Sequence, residues 1–213
     1  MSGHGAEFMG GRLKAGLWGL AALLSAGIAL VSYRYLIGVG PAPSGILGNL
    51  FARPWLYVHV AGAATALLVS PLQFLPRIRA KAPATHRTIG RIYMVGCLVG
   101  GAAGLIVAIG STAGPVASIG FGGLAVSWLA ANAQGWRAAR SRRFADHRMW
   151  MIRSFALTFA AVTLRLYLPL SQVLGLPFLD AYRAISFLCW IPNLALAELY
   201  LRGAFSKGLT ARA

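Results

Sequence analysis

Six apolar stretches, each long enough to cross a bilayer, constrain this 213-residue chain more than any other feature. They fall at about 15–37, 55–75, 91–112, 115–135, 150–171 and 183–201. A hydrocarbon core of ~30 Å takes about 20 residues of helix. Inside it every backbone N–H and C=O must find a partner, which a helix supplies from within one segment. The expected fold is an all-α integral membrane protein, a six-transmembrane-helix bundle. Apolar residues make up 58% of the chain and charged residues 11%, against about 25% charged in a soluble domain.

The basic residues orient the bundle. Lys and Arg number 20 against 4 Asp and Glu, a formal net charge of +16. Such a balance raises nucleic-acid binding, but the charges sit in short segments beside apolar spans. Sixteen of the cations lie on one side. They are Arg12 and Lys14; Arg77, Arg79, Lys81, Arg87 and Arg91; Arg137, Arg140, Arg142, Arg143 and Arg148; Arg153 just inside the fifth span; and Arg202, Lys207 and Arg212. Short loops rich in Lys and Arg stay cytoplasmic. Both termini are therefore expected in the cytoplasm, with membrane lipids as partners and no nucleic acid. Arg12 and Lys14 also suit the basic start of a signal peptide. The apolar run after them exceeds the usual 7–15 residues of such a peptide, so an uncleaved first helix is expected.

Within the spans, Ser111 to Pro115 reads as a tight turn by its Gly-Pro pair, joining spans three and four into an antiparallel hairpin. Gly96, Gly100, Gly104 and Ala108 recur at intervals of four on one face of span three. A face without side chains lets another helix backbone approach closely. Packing within the bundle is the first reading of that face, and a homo-oligomer seam the second. Pro71 and Pro192 fall inside spans two and six, where each removes a backbone donor and predicts a kink. Cys97 and Cys189 lie within spans at no metal-ligand spacing and read as small buried apolar residues. No internal repeat marks a transporter built of two halves.

Polar residues at membrane depth need a partner or a purpose. In the cytoplasmic layer, His86-Arg87 leads into span three with Arg91 after it, and His147-Arg148 leads into span five with Arg153 after it. Glu198 approaches the same face from span six, with Asn193 just over one turn earlier. Arg91, Arg148 and Arg153 are its candidate partners, and Arg202 stands at i+4. Three readings stay open. The arginines bind lipid phosphate or another anion with Glu198 neutralising one of them. Alternatively His86 and His147 are the axial ligands of one b-type haem. In the third reading the layer holds a quinone-like ligand. In the outer layer His59 and Arg165 are the candidates, with Arg165 either snorkelling outward, holding an anion or pairing with Asp180. No P-loop, H-E-x-x-H, paired-Cys or G-x-S-x-G motif assigns a reaction. A small transporter is the third functional class, behind an accessory membrane component and a redox component.

The motifs fall in a recognisable order. Gln73-Phe74, His86-Arg87-x-x-Gly90-Arg91-x-Tyr93, Gly120-Phe121, His147-Arg148-x-Trp150-Met151-Ile152-Arg153-Ser154, Ala160 to Arg165, and Cys189-Trp190-x-Pro192-Asn193-Leu194 with Glu198 resemble the bacterial membrane-protein family DUF2306. The resemblance covers about 55–202. It divides the chain into an N-terminal helix and outer loop at 1–54, a membrane core of five helices at 55–202 and a cytoplasmic tail at 203–213. It implies a multi-pass protein of a bacterial inner membrane and no established reaction. It marks His86, His147, Arg153, Arg165, Asn193 and Glu198 as matching positions, and does not extend to His59.

Overall fold

The structure, a computed structural model, describes residues 3–39 and 49–210. Most of the outer loop, Pro43 included, and the end of the tail with Arg212 lie outside the described residues. All regular structure among them is helical: α1 (Gly3–Tyr33), α2 (Ala52–Val69), a 3-10 turn (Ser70–Phe74), α3 (Pro76–Lys81), α4 (Pro83–Ile109), α5 (Pro115–Arg140), α6 (Phe144–Thr158), α7 (Ala160–Val173), α8 (Phe178–Leu188) and α9 (Ile191–Thr210). Six segments have the length and composition to cross a membrane: Ala15–Tyr33, Ala52–Phe74, Pro83–Ile109, Pro115–Arg140, Phe144–Val173 and Phe178–Gly203.

The helices outrun the apolar stretches. The third stretch begins near residue 91, but α4 begins at Pro83, whose fixed φ and missing N–H suit a first helical turn. The fourth stretch ends near 135, but α5 runs to Arg140 through alanine and arginine, both good helix formers. At 1.5 Å per residue, the 27 residues of α4 and the 26 of α5 reach about 40 Å. That exceeds the ~30 Å of hydrocarbon. The basic residues therefore ride on helical extensions rather than on long loops.

Two spans are interrupted near their middles. Span five breaks at Phe159, between α6 and α7, and span six at Cys189 and Trp190, between α8 and α9. Pro192 explains the second break, because it has no N–H to offer the preceding turn. Pro71 acts likewise in span two, where α2 passes into the 3-10 turn. No proline stands at Phe159. There the Thr158 hydroxyl donates to the Ser154 carbonyl at 2.8 Å and the Thr163 hydroxyl to the Phe159 carbonyl at 3.3 Å. Such back-bonding bends helices.

Small residues dominate the packing. Gly62 on α2 faces Gly96 and Gly100 on α4 so closely that a Cβ added at Gly62 would lie 2.5 Å from the Gly100 nitrogen and 2.8 Å from the Gly96 oxygen. The glycine face of span three thus packs within the bundle. The turn at 110–114 closes the α4–α5 hairpin. Ala66, Tyr93, Cys97, Trp128, Ala131 and Leu157 form the central core, and Cys97 and Cys189 are both fully buried. Trp18, Phe74 and Phe155 meet as tilted rings with centroids 5.2–5.6 Å apart, tying α1 and the 3-10 turn to α6. Large side chains such as Leu23, Leu98, Ile119 and Leu199 are exposed, as a lipid-facing surface requires.

Candidate functional site

Glu198 on α9 meets one arginine of its candidate set. Arg153 on α6 donates from Nε to Glu198 Oε1 at 2.5 Å and from Nη2 to Oε2 at 3.0 Å. Two parallel N–H···O bonds match the guanidinium fork to the carboxylate and fix both orientations. The Arg153 guanidinium also lies over the Trp150 ring, 4.7 Å from its centroid. One turn separates Trp150 from Arg153, so a single helix face supplies both. Ser127, Ala130, Leu157 and Leu194 complete a cleft of about 330 Å³ around the pair.

Arg202, one turn on along α9, lies within electrostatic reach of Glu198 but forms no ion pair with it among the described residues. Arg87, Arg91 and Arg148 are exposed and make no ion pair among the described residues. The histidines are half-buried and lie within electrostatic reach of each other. His147 Nδ1 lies 2.9 Å from the Gly135 carbonyl. A carbonyl only accepts, so Nδ1–H is the donor. Gly135 has no side chain to hold the two helices apart there: a Cβ would lie 2.7 Å from Met151 Sδ. The His86 Nδ1 is buried and has no hydrogen-bond partner among the described residues. The Gln73 amide donates to the His86 carbonyl at 3.3 Å, which accounts for one of the motif residues.

Asn193 belongs with the helix breaks and not with Glu198. Its Nδ2 reaches Thr163 Oγ1 at 2.9 Å, the Cys189 carbonyl at 3.0 Å and the Ala156 carbonyl at 3.4 Å. One side chain of span six therefore ties the interruption in span five to the interruption in its own span. Trp190 ties the break in span six to α5 instead, donating from Nε1 to the Gly120 and Ser186 carbonyls at 3.2 and 3.0 Å.

In the outer layer His59 Nδ1–H donates to the Gly100 carbonyl at 2.7 Å, over Gly104, where a Cβ would lie 2.7 Å from the ring. Arg165 donates to the Ala161 carbonyl at 3.0 Å, one turn back on α7. The expected alternative of an Arg165–Asp180 pair is not what forms. Asp180 meets Arg183 at 3.4 Å, three residues on along the same helix, while Arg183 also donates to the Ala113 carbonyl at 2.9 Å.

A buried polar network escaped sequence reasoning. Tyr93 Oη lies 2.5 Å from Ser154 Oγ and 2.8 Å from Thr158 Oγ1. Trp128 Nε1 donates to Thr158 Oγ1 at 2.9 Å, and Ser154 Oγ to Asn132 Oδ1 at 3.2 Å. All five side chains are buried. Trp128 and Asn132, like Ser154 and Thr158, stand four apart, so each pair shares a helix face. That spacing was the available sign. Tyr93→Phe should lower stability by about 1–2 kcal/mol, since Ser154 and Thr158 keep other partners and the loss stays at the low end for a buried hydrogen bond. Thermal unfolding of purified protein in detergent measures it. An unchanged melting temperature would show that the hydroxyl adds nothing to the ring's packing.

The family described as a predicted membrane protein, DUF2306, matches residues 56–201. No curated protein and no solved structure matches the chain.

Proposed function

The chain belongs to the DUF2306 family of predicted membrane proteins, and from that premise we propose an accessory component of a bacterial inner membrane whose basic end gathers anionic lipid headgroups. That end faces the cytoplasm in this reading, and both termini with it. The observation that carries the proposal is the surplus of free cations there. Arg77, Arg79 and Lys81 on α3, Arg87 and Arg91 on α4, Arg137 and Arg140 on α5, and Arg142 and Arg148 beside and on α6 are all exposed. None has a carboxylate partner among the described residues. Carried on helical extensions at the hydrocarbon boundary, they stand at headgroup depth.

Arginine suits this task because its planar fork takes two phosphate oxygens at once. A basic residue near an anionic membrane surface contributes about 1 kcal/mol. Replacing Arg87, Arg91 and Arg148 with serine should therefore weaken the preference for phosphatidylglycerol over phosphatidylcholine by on the order of a hundredfold. Native mass spectrometry of the purified protein titrated with each lipid reads that preference. Reporter fusions after Arg79 and Arg140 should report cytoplasm. Equal retention of both lipids, or reporters on the far side, would overturn the reading. A Soret band that sharpens on reduction would replace it with the redox alternative, one b-type haem between His86 and His147.

A further inference from the structure

Near the middle of the bundle, α1, α2 and α7 converge. Ala29 on α1 and Val162 on α7 are fully buried in one cluster with Leu67 on α2. Tyr33 Oη lies 2.8 Å from Thr65 Oγ1, closing α1 against α2. The first and fifth spans run in the same direction, so α1 and α7 climb together from that cluster. Arg34 stands five residues beyond Ala29 and Arg165 three beyond Val162, which puts both within about 8 Å of rise above the cluster.

Neither guanidinium is satisfied by its neighbours. Arg34 lies over the Tyr35 ring, 4.7 Å from its centroid, and reaches the Tyr35 hydroxyl at 3.4 Å and the Val39 carbonyl at 3.5 Å. Its Nε is buried and has no hydrogen-bond partner among the described residues. Arg165 is half-buried and spends Nη1 on the Ala161 carbonyl, with its remaining donors unengaged among the described residues. Arg34 and Tyr35 lie within electrostatic range of Arg165, as does His59.

No carboxylate among the described residues pairs with either of them. The chain has four acidic residues. Asp146, Asp180 and Glu198 are engaged by Arg143, Arg183 and Arg153. Glu7 lies near the other end of α1, 27 residues and about 40 Å from Arg34. Residues 40–48 contain no acid. Two cations at neighbouring depth on adjacent helices, one with a buried idle donor and neither with a carboxylate partner among the described residues, make a place where an anion would be stabilised.

We propose that Arg34 and Arg165, with the Tyr35 hydroxyl beside Arg34, form a binding site for one oxyanion of the phosphate or carboxylate class. The fork geometry of two arginines favours an anion that offers several oxygens over a spherical halide. A lipid phosphate and a free anion from the aqueous side present the same chemistry. The site is independent of the basic end and of what binds there.

The test uses the full chain, purified in a neutral detergent, with unfolding followed by intrinsic tryptophan fluorescence. Inorganic phosphate and short-chain phosphatidylglycerol are titrated separately against chloride at constant ionic strength. At least one should raise the melting temperature saturably by several degrees, and which one does so identifies the source. Arg34→Gln and Arg165→Gln should each abolish the rise, and Arg165→Lys should keep part of it. Without anion, Arg34→Gln should be no less stable than wild type, because like charges have been separated. A rise that persists unchanged in Arg34→Gln would assign the anion to the basic end and overturn the site. So would wild-type protein indifferent to both probes. If Arg165→Gln does not fold, Arg34→Gln, beyond the end of α1, decides alone.

Discussion

Replacing Gly100 with leucine should leave little or no folded protein in detergent. A Cβ at Gly100 would lie 2.7 Å from the Ala63 nitrogen, 3.1 Å from the Ala63 Cα and 3.1 Å from the Gly62 carbonyl carbon. All three are backbone atoms, so no side-chain rotation makes room. The α2 and α4 backbones must separate, and the contact is lost along its length. Overpacking a core costs about 1–3 kcal/mol when neighbours can shift. Here the backbone itself is the neighbour, and more than about 3 kcal/mol is expected. Lipid offers no compensating drive, because between membrane helices close packing replaces the hydrophobic effect. Leu98→Ala, at a lipid-facing position 62% exposed, is the control and should melt near wild type. Thermal unfolding and size-exclusion profiles read the outcome. An unchanged Gly100→Leu protein would mean that the helices do not meet there.

The second large effect is expected at Glu198. Glutamine in its place keeps one acceptor and removes the charge, leaving Arg153 among Ala130, Ala131, Leu157 and Leu194. Breaking a fully buried pair costs about 3–5 kcal/mol. The Arg153 and Glu198 side chains keep 22% and 34% of their accessibility, so about 1.5–3 kcal/mol is the expected loss. The combined Arg153→Met and Glu198→Gln variant should lose less than the sum of the single changes, because neither charge is then stranded. Unfolding measured across all four proteins gives the coupling directly. A Glu198→Gln protein within about 0.5 kcal/mol of wild type would reduce the contact to an ordinary surface ion pair.

Much of the architecture was legible before the coordinates. Spans followed from run length, the hairpin turn from Gly114-Pro115, and the glycine face from its spacing of four. What periodicity cannot supply is the partner. The face of Gly96 and Gly100 is visible in α4, but its complement on α2 is one glycine, Gly62, with alanines beside it, and no repeat announces it. The same limit applied to Glu198. Four arginines lay within reach along the chain, and only the crossing of α6 and α9 selects Arg153. Asn193 was drawn toward Glu198 by proximity in sequence. Its actual partners lie at two helix breaks, and the break at Phe159 carries no proline to betray it. The polar network had motif residues in Tyr93 and Ser154, but its closure through Trp128, Asn132 and Thr158 depends on three helices meeting at one depth.

The glycine seam also has a mechanical meaning. Where backbone lies against backbone, no side chain can switch rotamer to let one helix slide past the other. Helices α2 and α4 must therefore move as one stiff strut, with His59 pinned across it to the Gly100 carbonyl. Spans five and six are the opposite case, each jointed near its middle and held at the joint by the amide of Asn193. Each joint is a place where its span can bend, as is the passage of α2 into the 3-10 turn at Pro71. The two halves beyond those joints, α6 with Arg153 and α9 with Glu198, are coupled to each other by their ion pair, so a change of angle at one joint is felt at the other.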